Sequence, residues 1–490
     1  MTSSRPNLQH WLTLLSVGSG VLMATLDASI VNISLPTLVK DLHTDFATVE
    51  WVVLAYVLMV TALMLGAARL GDLYNKKRLY QIGLIIFTLG SLLCGLAPTI
   101  TALIVFRALQ GIGAAFTQAL GTAIVTEVFP PESRGRALGT IGSIVSIGIA
   151  AGPPLGGLII AWAGWHWVFL VNLPIGIIAS LIVHRFVPNL HPGQRDGGFD
   201  AVGALILFIA MGCYALGMTL GQDLGFGNQW PKILLGVSLI GLILFVWVEH
   251  RQPHPMVDLS LFRNVLFSIN LLMAFLVFVV MAGMFLMPFF LQLVQGYPTQ
   301  LVGLLMMAHP VAMGIVAPVA GALSDRYGSR EISLIGLIMV IIGCLSVASI
   351  RAGISPLAFV LHLIPFGIGL GMFQSPNNNA IMSAVPRNRL GIASGLLALM
   401  RTLGQTSGLP LMGTLFALQV RAFANLAPGF EVTQAEPSAL LAGLRGTYHI
   451  AAFVILVATL LAVLALWIDA QKRKQHAAHP VLEGKHKVCR

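Results

Sequence analysis

The first residue in this sequence whose chemistry stands out is an acid inside a long apolar run. Asp27 lies in the stretch from Leu12 to Leu35, and with Glu127 and Glu249 placed at helix ends it is the only acid expected inside the body of a membrane span. A carboxylate there must face a wet cavity, find a cation or take up a proton, because an unpaired charge in hydrocarbon costs several kcal/mol. A group that gives and takes a proton can exchange it for a substrate. Arg107, in another apolar run, stays protonated at any working pH, so its position decides how readily a nearby carboxylate releases its proton. Asp27 and Arg107 are therefore the candidate proton-coupling residues. Each also has a purely structural reading: a bond to a neighbouring helix for Asp27, the capping of carbonyls at a bend for Arg107.

Polar or aromatic residues in otherwise apolar spans are the candidates for lining a substrate cavity: Asn32, Tyr56, Gln118, Phe285, Gln292, His309, Gln374, Asn377 and Asn378. Residues of these types also serve as ordinary helix–helix contacts. His309, beside Pro310, is a second candidate for titration because imidazole changes charge near neutrality, and His362 is of the same kind. Arg401, close to Gly404-Gln405, reads as structural or as lying near a helix end. The four-residue step from Gly148 to Gly152 puts both on one helix face that a second helix can approach closely. Pro153 and Pro154 remove backbone donors there and bend the helix. The sequence has no His-Glu-x-x-His, no metal-ligand cluster, no Ser/His/Asp arrangement and no phosphate-binding loop. No catalytic residue, metal or cofactor is expected, and the chain does not read as an enzyme or a nucleotide-driven pump.

The elements that position these residues follow from composition. Of 490 residues, 57% are apolar and only 9% charged, with a mean hydropathy of +0.88. Soluble domains carry roughly 25% charged residues, so lipid tails and other helices are the surroundings of most of this chain. The net charge of +10 is spread in short basic groups between apolar runs, which argues against nucleic acid as a partner. Cys94, Cys213 and Cys344 lie inside apolar stretches and Cys489 in the tail, so they read as small packing residues. The first apolar run is too long for a signal peptide and ends without a small-residue cleavage site.

A span needs about twenty apolar residues, and fourteen candidates run from one starting near Leu12 to one starting near Tyr448. The thirteenth, starting near Leu390, carries a possible break at Gly408-Leu409-Pro410. An even count puts both termini on one side. With that side cytoplasmic, the inner loops hold most of the basic residues, among them Arg69, Lys76, Lys77, Arg78, Arg134, Arg136, Arg326 and Arg330. The outer side holds only Lys40, Lys232, Arg351, Arg421 and Arg445. That asymmetry fits a multi-pass protein of the cell (inner) membrane with cytoplasmic termini.

A loop pattern after the second span, Gly71-Asp72-Leu73-Tyr74-Asn75-Lys76-Lys77-Arg78, returns after the tenth as Gly321-Ala322-Leu323-Ser324-Asp325-Arg326-Tyr327-Gly328-Ser329-Arg330. The repeat indicates a duplicated six-helix unit. The expected division is an N-terminal half over 1–188, a linker with two inserted spans over 189–258, a C-terminal half over 259–470 and a cytoplasmic tail over 471–490. Repeats of this kind put a substrate site between the halves near the membrane midplane.

Taken together, these motifs resemble the fourteen-span drug:proton antiporter branch of the major facilitator superfamily over nearly the whole chain. Leu26-Asp27-Ala28-Ser29-Ile30-Val31-Asn32-Ile33-Ser34-Leu35-Pro36 is similar to that branch's first-span signature, and Arg107-Ala108-Leu109-Gln110-Gly111-Ile112-Gly113 to its proton-coupling motif. Gly139, Gly148, Gly152, Pro153, Gly156 and Gly157 follow its antiporter motif, and Trp165-His166-Trp167-Val168-Phe169 with Asn172, Pro174 and Gly176 is also typical. The two repeated loops resemble the family's cytoplasmic hinge motif. The second copy matches well, while the first departs from it at Ala68, Leu73 and Asn75. The resemblance implies an all-α major facilitator fold of two six-helix halves plus two inserted spans, and proton-coupled efflux of a lipophilic or cationic small molecule by alternating access. It implies gating by Asp72, Asp325 and Arg326, with protons and membrane lipids as partners and a monomer as the working unit. A dedicated exporter of a metabolite, amphiphile or lipid is the alternative. A proton-translocating respiratory subunit is a remote one, since no Lys lies within a span.

Overall fold

The structure, a computed structural model, describes residues 8–189, 200–252, 259–386, 390–427 and 429–478. The described residues form helices and connecting turns, with no strand. The long helices are α1 (Leu8–Asp41), α2 (Phe46–Leu73), α3 (Lys76–Gly95), α4 (Ile100–Val128), α5 (Pro131–Ala163) and α6 (His166–Phe186, with a turn at Val171). Next come α7 (Ala201–Leu224), α8 (Gln229–Arg251), α9 (Val265–Val294) and α10 (Thr299–Tyr327). The last four are α11 (Ser329–Ala348), α12 (Pro356–Ser383), α13 (Leu390–Ala424) and α14 (Pro437–Ala478). The expected linker and tail lie in good part outside the described residues, although α14 continues past residue 470 to Ala478.

Helix starts are set by short polar side chains that take an otherwise orphaned backbone N–H. Asp45 accepts from Thr48 N at 2.6 Å, Asp200 from Gly203 N at 2.8 Å, and Thr99 and Ser355 cap α4 and α12 in the same way. Thirteen helices among the described residues are long and apolar enough to cross a bilayer. The remaining expected span, α13, is more polar because Arg401, Thr402, Gln405, Thr406 and Ser407 follow one another in it. It is nonetheless a 35-residue helix, packed by α2, α7, α9 and α14, so protein surrounds much of it. It also runs without interruption through Gly408 and Pro410, where the sequence allowed a break. Gly408 sits against the backbone of Val279 in α9, and such neighbours support a proline-containing helix in a membrane.

Helices α1 to α6 pack chiefly on one another, as do α9 to α14. Helix α7 packs on α8 and on α2 and α13, and so touches both groups. Helix α8 is apolar on all sides, with Leu239, Ile240 and Ile243 exposed, and only 11% of its apolar window is buried in protein. Its remaining apolar surface suits contact with lipid.

The start of α1 lies by the end of α6, where Thr13 Oγ1 reaches Phe186 O at 3.5 Å, and the start of α11 lies by the end of α14 through an Arg330–Asp469 ion pair. This end of the bundle is the terminal face, and the opposite end is the far face. At the far face the two groups are tightly joined. Phe46, the first residue of α2, is enclosed by Phe285, Phe289 and Phe416, with ring centroids 5.0 to 5.9 Å away. Its N–H donates to the Glu431 carboxylate in the loop after α13, at 3.2 Å.

Candidate functional site

Asp27 does not face open space. It is fully buried among α1, α3, α4 and α6. Its Oδ2 accepts from Arg107 Nη1 at 2.7 Å, and its Oδ1 accepts from Gln110 Nε2 at 2.9 Å and from Asn172 Nδ2 at 2.8 Å. Both amides also donate to Ser91 Oγ, at 3.2 and 3.0 Å, and Ser91 donates onward to Phe169 O at 2.9 Å. Arg107 is equally buried. Its Nη1 also donates to Gln110 Oε1 at 2.6 Å and its Nε to Val52 O at 2.8 Å, while the guanidinium lies 4.3 Å from the centre of the Tyr56 ring. Of the three outcomes open to a buried acid, Asp27 has found a cation. Gln110 lies one turn from Arg107, on the same face of α4. Asn172 and Ser91 come from elements that only the fold brings near.

The glycines of α5 face two partners. A side chain on Gly148 would meet Thr25, one on Gly152 would meet Ser29, and one on Gly156 would meet Ile30, all on α1. Ser29 Oγ donates to Gly148 O at 3.1 Å across this seam. Gly157 instead backs onto Thr299 and Gly303 of α10, and Gly303 in turn lies against the Pro153 carbonyl. Helix α5 thus holds α1 with one row of small residues and α10 with another. Of Gly139 only the helical backbone is described.

The α5–α10 contact opens toward the terminal face. Toward the terminal face, Gly142 of α5 lies eleven residues from Pro153 (153 minus 142), about three helical turns, and Gly314 of α10 lies beyond the turn at Met307. Nothing lies within 4 Å of a Cβ added at either. The two helices touch at the far face and diverge at the terminal face.

A family model described as Major Facilitator Superfamily matches residues 17–409. The chain belongs to the major facilitator superfamily. It is 35% identical to the riboflavin transporter RibZ of Clostridioides difficile (strain 630), over 84% of this chain and 89% of that one. It is also 35% identical to the multidrug resistance protein Stp of Mycobacterium tuberculosis (strain CDC 1551 / Oshkosh), over 88% and 80%. The fold matches that of a bacterial homologue of the human lysosomal transporter Spinster, solved in an inward-facing and unoccupied conformation. That likeness has a TM-score of 0.66 at 18% identity and covers 94% of this chain and 98% of that one. The all-helical fold of the superfamily, in a multi-pass membrane protein, is thereby established.

Within this superfamily fold the cavity candidates separate. Tyr56 is buried beneath Arg107, and Phe285 belongs to the far-face aromatic cluster. Asn377 is buried, with its amide donating to Asn270 O at 3.3 Å. Asn32, Gln118, Gln292, His309, Gln374 and Asn378 are partly buried. Asn378 Oδ1 accepts from Arg401 Nη2 at 2.9 Å, and Gln374 reaches only the Met313 sulfur at 3.7 Å. The His309 ring stands edge-on to Phe366 at 6.4 Å.

The two hinge loops clasp their own halves at the terminal face. Lys76 pairs with Glu127 at 3.1 Å, Lys77 donates to His184 O at 2.8 Å, and Arg330 pairs with Asp469. Asp325 and Arg326 are exposed, the latter 5.3 Å from the centre of the Tyr327 ring. Asp72 ends on the last turn of α2, and only its backbone is described.

One expectation needs correction. Asp27 is not the only buried acid, because Glu50, in the second turn of α2, is fully buried. Gln222 of α7 donates to Glu50 Oε2 at 3.3 Å and to Thr414 Oγ1 of α13 at 3.2 Å, while its carbonyl accepts from Arg421. Glu50 stands so near the start of its span that nothing local in the sequence separates it from an interfacial acid. What buries it is the inserted helix α7, together with Gly413, where a side chain would strike the carboxylate.

Proposed function

We propose that this protein exports small molecules across the cell (inner) membrane by alternating access, driven by protons entering from outside, with both termini cytoplasmic. The terminal face is then the inner side, and the divergence of α5 and α10 makes this an inward-open arrangement. The observation that carries the reading is the buried Asp27–Arg107 pair, which ties α1 to α4 in the middle of the N-terminal half.

Three charge-assisted or amide hydrogen bonds tie Asp27 to α4 and α6. A proton arriving at Asp27 cancels its attraction for Arg107 and releases the tie between α1 and α4. Helix α1 carries Thr25, Ser29 and Ile30 against the α5 glycines, so a shift of α1 bears directly on the helix that closes the far side. Loss of the proton to the inner side restores the pair. An inside-negative potential contributes about 2.3 kcal/mol per charge per 100 mV toward moving protons inward. Asn32, Gln118, Gln374 and Asn378 are the polar groups left to meet substrate between the halves. Asp325, Arg326 and Asp72 would engage across helix ends when the inner side closes.

A dedicated exporter of a metabolite, amphiphile or lipid is the second reading. It is favoured by the equal identity of the chain to a relative named for riboflavin and to one named for multidrug resistance. Proton flux in inside-out vesicles, measured against cationic, neutral and anionic compounds, tests both. Broad proton release on addition of unrelated compounds supports multidrug export, a response to one class supports the dedicated exporter, and none with any class refutes proton-coupled export.

A further inference from the structure

The interior of the C-terminal half holds a cation with no matching acid. Arg401 lies in α13, eleven residues beyond Leu390 (401 minus 390), about 16 Å along the helix and well inside the span. The described residues place no carboxylate within ion-pair distance of it. Its neighbours are neutral: Asn378 Oδ1 at 2.9 Å from Nη2, and the Phe278 ring with its centre 5.5 Å away. Its Nε is enclosed and makes no hydrogen bond. One turn from Asn378, Gln374 has only a sulfur as partner. The residue is partly exposed, and its guanidinium lies among α9, α12 and α13, not on the outer surface of the bundle.

A guanidinium offers five N–H donors, and here one is matched by a neutral acceptor. Water can reach the exposed donors while the terminal side is open, but not the enclosed Nε. When that side closes and water is excluded, an unpaired buried charge becomes strongly unfavourable, so something carried with the cycle must compensate it. A cation would be repelled at this position. An anion would satisfy the donors by charge-assisted, planar hydrogen bonds, the geometry for which arginine is suited.

We infer that Arg401, with Asn378 and Gln374 beside it, is the anion contact of the exported molecule, which makes the substrate class organic anions such as carboxylates and not the cations that the sequence also allowed. This rests on the reading of the protein as an exporter, and the test is set at binding so that it does not depend on proton coupling.

Purified protein in zwitterionic phosphatidylcholine nanodiscs is titrated with two xanthene dyes of similar shape, anionic fluorescein and cationic rhodamine 123, followed by fluorescence anisotropy. The wild type is expected to bind fluorescein at least tenfold more tightly than rhodamine 123. Arg401→Gln should lose that preference, and Arg401→Lys should keep part of it. Asn378→Asp keeps the arginine but supplies an internal carboxylate, so it should weaken fluorescein binding at least tenfold in a protein that still elutes as a single species. A wild type that ignores fluorescein or prefers rhodamine 123 overturns the inference, as does unchanged binding in both Arg401→Gln and Asn378→Asp. Adding phosphatidylglycerol separates substrate from lipid: undiminished fluorescein binding supports a substrate site, and displacement by the lipid assigns the charge to a headgroup and overturns it. Failure of uphill transport with intact fluorescein binding would count against proton-coupled export and leave the anion site standing.

Discussion

The two halves of this protein each bury an arginine within a span, and they treat it in opposite ways. In the N-terminal half Arg107 is fully enclosed, paired with Asp27 and backed by Gln110, Val52 O and the Tyr56 ring. In the C-terminal half Arg401 is partly exposed and meets one neutral amide. Arg107, although its Nη2 makes no hydrogen bond, is neutralised by a carboxylate inside the protein and can change only if the protein changes, which suits a coupling element. A charge with no carboxylate beside it among the described residues changes its surroundings when a ligand arrives, which suits a contact for cargo. The difference shows why an intramembrane arginine cannot be assigned a role from its residue type alone.

The largest effect is expected from Asp27→Asn. An amide cannot carry the coupling proton, so proton-driven uphill flux in proteoliposomes should be abolished while counterflow down a substrate gradient survives. Full uphill activity would remove Asp27 as the carrier, reduce the N-terminal pair to a structural tie and make His309 the next candidate.

Gly152→Leu should come next. A leucine there must push Ser29 and α1 away from α5, which should leave a folded protein that no longer exchanges between its two faces. Gly314→Leu in the other half meets open space in this conformation, so it should be accommodated here and disfavour only the state in which the terminal side closes. Accessibility labelling from both sides distinguishes the two, and normal exchange in Gly152→Leu would discard the seam.

Stability separates the arginines directly. Arg107→Ala leaves a buried carboxylate without its cation and should cost about 3–5 kcal/mol, of which the double variant Asp27→Asn/Arg107→Ala should recover a large part. Arg401→Ala strands only a neutral acceptor and should cost about 1 kcal/mol. Thermal unfolding in one detergent would measure both, and equal losses would end the contrast between the halves.

The smallest effect is expected at the hinge loops. Asp325→Asn should slow transport without stopping it, and Asp72→Asn should slow it less, because the first copy of the motif departs from the family pattern at three positions. Initial rates at matched expression would test the order, and normal rates in both variants would remove these residues from gating.

Much of the architecture was legible in the chain itself. Apolar runs of span length indicate where helices cross, because lipid leaves the backbone no other way to satisfy its hydrogen bonds. The duplicated loop and the spacing of the α5 glycines were legible for the same reason, since both are local patterns on single elements. Asp27 and Arg107 could be singled out as charges in hydrocarbon.

The sequence pointed to Arg107 as the natural modulator of Asp27, but the network around the pair could not be read, because it depends on four helices meeting, with Asn172 arriving from 145 residues away. Nor could the sequence place Glu50 in the interior, since its burial is imposed by α7 and Gly413. It read Arg401 as structural or near a helix end because nothing local says that the facing helices offer it no acid. Hydropathy and spacing are properties of one helix at a time, and so the sequence determined the spans. Which charges are compensated is a property of how helices face one another, and only the tertiary structure decided that Asp27 is held by Arg107 while Arg401 meets a neutral amide.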